Sequence, residues 1–138
     1  MEIRYQIPGG DFDRAGEASA TVKQMLQRIG VPSDVVRRIA IGSYEGEMNC
    51  LIHGGGGELI ANVTPEETTI LIQDEGPGIA DIKQAMQEGW STAPDYVRDM
   101  GFGAGMGLPN MMKCSDSFDI QSEVGKGTKI TMKFSHKK

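Results

Sequence analysis

The chain has 138 residues, a formal net charge of −5, and two cysteines, Cys50 and Cys114, that lack C-x-x-C spacing. This length predicts one domain over residues 1–138, and the acidic balance argues against binding to nucleic acid or to an anionic membrane surface. The cysteine spacing argues against zinc and redox motifs, and no apolar run approaches the roughly 18 residues of a membrane span, so we expect a cytoplasmic protein.

The first half of the chain is predicted to form a strand followed by two helices. Residues 2–7 alternate between apolar and polar side chains, as in a strand, before a Pro-Gly-Gly turn. Apolar residues recur at helical spacing over 15–29, with Gly30 at the position of a C-terminal cap. Ser33 suits the N-cap of a second helix over 33–52, which should end before four consecutive glycines.

The second half is predicted to be richer in strands. Residues 89–107 have no clean period and are long for a structureless connection, which indicates a functional loop or lid. The whole pattern predicts an α+β fold, a two-layer α/β sandwich whose helices cover one face of a mixed, mostly antiparallel sheet. The remaining predicted elements are a hairpin of strands 58–63 and 68–73, helices 81–87 and 108–114, and two final strands around the turn 124–127.

A carboxylate and a carboxamide share one face of the second predicted helix. Glu45 and Asn49 are four residues apart, and the amide oxygen of Asn49 suits Mg²⁺, which prefers oxygen ligands. Glu45 is suited to orient or deprotonate a nucleophile near a γ-phosphate. The same pair also fits a solvated helix face. Glu47 points away from this face, and we expect it at the surface.

Asp74 follows an apolar strand and begins the sequence D-E-G-P-G-I. Gly76 and Gly78 permit positive φ and leave space for a flat ring, while Asp74 can accept a hydrogen bond from an exocyclic amine. An adenine site is therefore one interpretation. An ordinary turn that leaves a strand is the other.

Four glycines, at positions 101, 103, 105 and 107, precede a predicted helix at a spacing of two. Helix N-termini attract phosphate through unpaired N–H groups, so this run predicts a phosphate site, although a flexible linker is the alternative. Arg98, as the only arginine of the loop, is a candidate phosphate contact. The P-loop pattern is absent, and a polar loop rather than a strand stands before the glycines, which argues against a dinucleotide fingerprint.

In this order and separation the three motifs resemble those of the GHKL superfamily of ATP-binding domains, over residues 33–134. The resemblance implies a Bergerat-type sandwich that binds ATP and Mg²⁺ under a mobile lid, with Glu45 as the catalytic residue and Asn49 as the metal ligand. Thr128 looks like the threonine of the last glycine box, and His53 is interpreted as a helix-end residue rather than a base. The candidate nucleotide-binding residues are Asn49, His53, Asp74, Gly76, Gly78, Ile79, Arg98, Gly103, Ala104, Gly105, Met106, Gly107, Leu108 and Thr128.

Within the superfamily, the size and the E-x-x-x-N…H-G pattern look like the anti-sigma-factor and switch serine-protein kinases. This resemblance implies transfer of the γ-phosphate to a Ser or Thr of a small STAS-domain antagonist. Some members of this family also bind a sigma factor as a dimer, so the resemblance leaves open whether this protein binds a sigma factor and whether it forms a homodimer. A nucleotide-sensing module that sequesters a partner without phosphoryl transfer is the alternative. Gly46 departs from the usual small apolar residue after the glutamate, which is expected to loosen the helix by up to about 1 kcal/mol.

Overall fold

The computed structural model describes residues 1–10, 12–52, 55–76 and 107–137. Each helix and strand predicted within these ranges is present, close to its predicted bounds. Helix 81–87 and most of loop 89–107 lie outside the described residues. A short 3₁₀ turn, Phe12–Arg14, was not predicted. The elements are β1 (Glu2–Pro8), α1 (Glu17–Arg28), α2 (Ser33–Ile52), β2 (Gly56–Val63), β3 (Glu67–Asp74), α3 (Gly107–Cys114), β4 (Ser117–Glu123) and β5 (Gly127–Ser135).

The five strands form one sheet in the order β1-β2-β3-β5-β4, and every pair among the described strands is antiparallel. The sheet therefore has β3 at its centre, with β2 on one side and β5 on the other. The registers of the two strand pairs place Asp74 opposite Gly57 of β2 and opposite Thr128 of β5. The end of the central strand thus meets residues from two distant parts of the sequence.

The three α-helices of the described ranges cover one face of the sheet, as the sequence pattern predicted. In β5 the buried residues Ile130 and Met132 alternate with the exposed lysines at 129 and 133, so one face is apolar and the other polar. Helix α2 packs against β1, β2, β3 and β5, and α1 and α3 flank it. The α+β sandwich is therefore confirmed. No described helix has the length and apolar character needed to cross a bilayer.

Helix α1 receives its N-terminal cap from another helix. The Glu47 carboxylate of α2 accepts backbone hydrogen bonds from Gly16, Ala18 and Ser19 at 3.0–3.1 Å. Glu47 is 1 % exposed, so the expectation that it lies at the surface is wrong. Three N–H donors that a helix N-terminus leaves unpaired are satisfied here, which makes burial of this carboxylate tolerable.

Backbone hydrogen bonds define two further helix ends, the end of α1 and the start of α2. Gly30 has a φ of +88°, and its N–H donates to the carbonyl of Gln27, as predicted for a C-terminal cap. At the start of α2 the first hydrogen bond runs from Val36 N–H to the Pro32 carbonyl. The N-cap is therefore Pro32, and Ser33, which the sequence predicted as the cap, lies in the first turn instead.

Candidate functional site

Glu45 and Asn49 lie one turn apart on α2 and are both half-buried. The side-chain amide of Asn110, in α3, donates a hydrogen bond to Glu45 Oε1 at 3.3 Å. Helix α3 begins at Gly107, the last of the four glycines predicted to bind phosphate. This hydrogen bond connects the predicted base to the helix that follows the glycine run. The helix that follows the third motif is therefore in direct contact with the first motif.

The carboxamide of Asn49 makes no hydrogen bond to any residue within the described ranges. Its oxygen is therefore available to a ligand, which fits the requirement of Mg²⁺ for an oxygen donor. The described residues contain no group of three or more His, Cys, Asp or Glu side chains that could hold a metal by themselves. This donor set suits an ion that takes one protein ligand and completes its shell with phosphate and water.

Gly46 sets the distance between α2 and the central strand. A Cβ atom at this position would lie 2.1 Å from Ile72 Cδ1 and 3.4 Å from Met111 Sδ. Glycine therefore allows the α2 backbone to pack directly on β3, two residues before Asp74. The sequence indicated only the conformational cost of glycine in a helix, whereas the structure shows what glycine permits: a close approach of the site helix to the sheet.

Asp74 is half-buried at the end of β3, and one of its oxygens is already occupied. Oδ1 accepts a hydrogen bond from the backbone N–H of Gly76 at 2.9 Å, which forms an Asx turn. This bond fixes the carboxylate orientation and leaves Oδ2 as the acceptor for another donor. The turn interpretation is therefore correct, and the adenine interpretation is compatible with it, because the turn orients a carboxylate that can accept from an amine.

Two glycines lie beside Asp74 on the neighbouring strands. A Cβ atom on Gly127 would lie 2.0 Å from the Asp74 carbonyl oxygen, and one on Gly57 would lie 2.1 Å from the Gln73 carbonyl oxygen. Gly127 also has a φ of +110°, which side-chain-bearing residues rarely adopt. These glycines allow both neighbouring strands to approach the backbone at Asp74 closely. A larger residue at either position would displace the strand end that carries the aspartate.

Thr128 completes this end of the sheet from β5. It is 6 % exposed, and its hydroxyl lies 2.9 Å from the hydroxyl of Ser122, which also donates to the Gly127 carbonyl at 3.1 Å. Asp74, Ser122, Thr128 and the lysines at 126 and 129 line a groove of about 290 Å³. The polar groups of β3, β4 and β5 therefore converge at this end of the sheet.

Two side chains of α2 have raised pKa values, chiefly because they are buried. Burial, followed by the charges of Asp74 and Glu47, raises the pKa of the Cys50 thiol to about 12. Burial, followed by the charges of Glu45 and Glu47, also raises the pKa of Tyr44. The Cys50 thiol is therefore protonated at neutral pH and is a poor nucleophile.

Several candidate nucleotide-binding residues fall outside the described parts of the chain. Leu108 is described and is 6 % exposed within the hydrophobic core, at the start of α3. Asn110 and Glu47 were missed by the sequence reasoning. The signal for Glu47 was that no Ser, Thr, Asp or Asn directly precedes α1, whereas Asn110 offered no comparable signal. The predicted residues outside the described ranges are His53, Gly78, Ile79, Arg98, Gly103, Ala104, Gly105 and Met106.

Comparison with known families places this geometry in context. The profile of the histidine kinase-like ATPase domain matches residues 10–134. The anti-sigma F factor of Clostridium acetobutylicum is 32% identical over 138 residues, covering 96% of this chain and 91% of that protein. The serine/threonine-protein kinase RsbT of Bacillus subtilis is 32% identical over 112 residues, covering 78% of each chain.

Solved structures agree with the fold. The crystal structure of the RsbU and RsbW domains of a Mycobacterium tuberculosis protein superposes with a TM-score of 0.66 at 15% identity. That match covers 97% of this chain and 32% of the other. A mycobacterial sensor histidine kinase, MprB, superposes with a TM-score of 0.54 at 13% identity, over 98% of this chain and 97% of the other. At these identities the structures support the α/β sandwich alone.

Proposed function

Since this chain belongs to the histidine kinase-like ATPase domain family, we propose that it is an ATP-dependent serine/threonine-protein kinase of the anti-sigma-factor or switch type. It transfers the γ-phosphate of ATP to a small STAS-domain antagonist and thereby regulates transcription by partner switching. One observation carries the proposal: the helix with Glu45 and Asn49 packs directly on the strand that ends at Asp74, opposite Thr128. The name of one relative, the serine/threonine-protein kinase RsbT, supports the same reaction class.

The adenine end of the nucleotide is assigned to the end of β3. Asp74 Oδ1 is held by Gly76, so Oδ2 accepts a hydrogen bond from the adenine amino group. The buried hydroxyl of Thr128 contacts the nucleotide beside it. Under this proposal the remaining contacts come from His53, Gly78, Ile79, Arg98, Gly103, Ala104, Gly105, Met106, Gly107 and Leu108.

Asn49 is assigned to Mg²⁺, which neutralises charge on the phosphates when it is bound. The support is the half-buried carboxamide, which has no hydrogen-bond partner within the described residues. The phosphates of ATP and water supply the other ligands. The α3 N-terminus lies next to this position through the contact between Asn110 and Glu45, and its free N–H groups suit phosphate.

Glu45 is assigned the role of general base. It accepts the proton of the partner's Ser or Thr hydroxyl while the hydroxyl oxygen forms a bond to the γ-phosphorus. The bond from that phosphorus to the bridging oxygen breaks, and ADP leaves with the electron pair. Phosphoryl transfer depends mainly on positioning and charge stabilisation, so one well-placed carboxylate is sufficient and no covalent enzyme intermediate is needed.

The STAS-domain partner follows from the resemblance of the sequence motifs to the switch kinases rather than from a described interface. The anti-sigma F factor relative supports a sigma factor as a second partner, and a homodimer is part of the same proposal. The whole of residues 1–138 is proposed to act as one ATP-binding domain. The alternative is a nucleotide-sensing module that sequesters its partner without transfer, and retention of Glu45 beside Asn49 argues against it.

The test is phosphate incorporation from labelled ATP into purified STAS-domain proteins of the same genome, compared for wild type, Glu45→Gln and the control Glu66→Gln. Glu66 lies in the exposed turn at the other end of the sheet. Glu45→Gln should retain calorimetric ATP affinity and lose roughly 10²–10⁴-fold in transfer rate, as expected for removal of a general base. Equal transfer by wild type and Glu45→Gln would exclude the base role. ATP binding by wild type without transfer to any partner would favour the sensing module.

A further inference from the structure

The proposed base Glu45 has one side-chain hydrogen bond to the described residues, and it comes from a neutral amide 65 positions away. We propose that Asn110 is a positioning residue, which sets the orientation of the Glu45 carboxylate for proton acceptance. This inference rests on the proposed function. It adds a residue that lies outside the three glycine-rich motifs and that the sequence pattern did not single out.

The chemistry of the contact suits this role. The terminal torsion of a glutamate side chain is broad, so an unpartnered carboxylate samples many orientations. Asn110 Nδ2 donates to Oε1 and leaves Oε2 free to accept from a substrate hydroxyl. An arginine or lysine at this place would pair with the carboxylate as an ion pair and reduce its basicity. The amide of Asn110 holds the carboxylate without adding a charge.

Asn110 can hold Glu45 only if α3 is itself fixed. Leu108 and Met111 on either side of it in sequence are buried, at 6 % and 0 % exposed. At the other end of the helix, Arg38 of α2 donates to the Cys114 carbonyl at 3.3 Å. The helix is therefore anchored to α2 at both ends, and Asn110 extends from a rigid support.

The position of Asn110 also links two parts of the reaction. It lies in the first turn of α3, three residues after Gly107, and this helix end is the one proposed to hold the phosphates. A small displacement of this turn changes the direction of the donor to Glu45. The base is thus oriented by the same helix end that is proposed to hold the phosphates, so correct placement of one favours correct placement of the other.

The experiment is a double-mutant cycle with Asn110→Ala and Glu45→Gln, read as kcat and KM for labelled phosphate transfer and as calorimetric ATP affinity. Asn110→Ala should lower kcat roughly 10- to 100-fold, the loss expected from misplacing a catalytic group, with ATP affinity unchanged within about twofold. Asn110→Asp, which has the same shape but replaces the donor by a carboxylate, should lose at least as much. Met112→Ala, an exposed change on the same helix, should transfer at the wild-type rate.

The decisive comparison is made in the Glu45→Gln background. If Asn110 acts through Glu45, Asn110→Ala should add little further loss there. A purely structural role would lower transfer in both backgrounds and would also lower ATP affinity, which would overturn the inference. Wild-type kcat in Asn110→Ala would overturn the inference and leave the proposed function standing. Absence of transfer by wild type to any STAS-domain protein would overturn both.

Discussion

At the scale of single residues, Glu47 tests whether a buried carboxylate stabilises this fold. Glu47→Ala leaves the N–H groups of Gly16, Ala18 and Ser19 without their acceptor, so the free energy of unfolding should fall by roughly 2–4 kcal/mol. Glu47→Gln keeps one acceptor oxygen and should cost about half as much. Urea unfolding followed by circular dichroism measures both. Glu66→Ala, in an exposed turn, should change stability by less than about 0.5 kcal/mol. Wild-type stability in Glu47→Ala would contradict the capping role.

The contrast between Glu45 and Glu47 marks where sequence reasoning succeeds at this scale. The spacing of Glu45 and Asn49 was enough to place them on one helix face, because helical periodicity depends only on local geometry. Helical periodicity also placed Glu47 off that face. It could not predict the contact of Glu47 with α1, because that contact depends on how the two helices pack. Carboxylates are rarely buried, so composition favoured the surface. Only the absence of a polar N-cap residue before α1 indicated that the N–H groups of this helix required an acceptor from elsewhere in the chain.

At the scale of elements, enlarging residue 46 and shortening residue 72 tests whether α2 packs closely against β3. Gly46→Ala improves helix propensity by up to about 1 kcal/mol but places a methyl group against Ile72 Cδ1, and overpacking a core costs roughly 1–3 kcal/mol. The single variant should therefore be less stable than wild type and should bind ATP more weakly. Ile72→Val removes the atom that would collide.

The double variant Gly46→Ala/Ile72→Val should be more stable than the sum of the single changes by about 1–2 kcal/mol. Chemical denaturation gives the coupling energy, and calorimetry shows whether ATP affinity recovers with it. If the changes in unfolding free energy of the two single variants add strictly, residue 46 of α2 does not contact Ile72. The site would then not depend on this contact.

Most elements were predictable because their signals are local. Alternation in β3 and β5 and the periodicity of α1 and α2 follow from which face is buried. The pairing of Asp74 with Thr128 was not predictable from periodicity, because β5 returns to lie between β3 and β4 rather than beside its predecessor alone. The glycines at 57 and 127 looked like turn residues in the sequence, and their second role, close approach to the backbone at Asp74, depends on that register.

At the scale of the whole molecule, the buried Cys50 thiol makes stability depend on alkaline pH. The folded thiol keeps its proton to about pH 12, whereas an unfolded cysteine loses it near pH ~8.5. The folded state therefore binds more protons than the unfolded state between these values, and stability falls as the pH rises through them. Between pH 8 and pH 10, wild type should lose roughly 1–2 kcal/mol more than Cys50→Ala, measured by urea unfolding at each pH.

Cys50→Ala is expected to be less stable at every pH, because it leaves a small cavity, so the comparison uses the change with pH rather than the absolute value. Titrations of other groups cancel between the two proteins. If both lose the same stability from pH 8 to pH 10, the thiol ionises inside the folded protein. Its surroundings would then be more polar than the packing of α2 against Gly57 indicates.

The interior position of β5 has a consequence for the order in which the protein can be made. Translation delivers Asp74 well before Gly127 and Thr128, which pair with it only when the last strand inserts between β3 and β4. Until then β3 is an open edge, and the carboxylate proposed to bind adenine has a neighbouring strand on one side only. A nascent chain thus carries all three glycine-rich motifs before it has a nucleotide site. The proposed nucleotide site is therefore complete only after residues 127–135 have been made, so a product that lacks them would lack the site rather than compete for nucleotide.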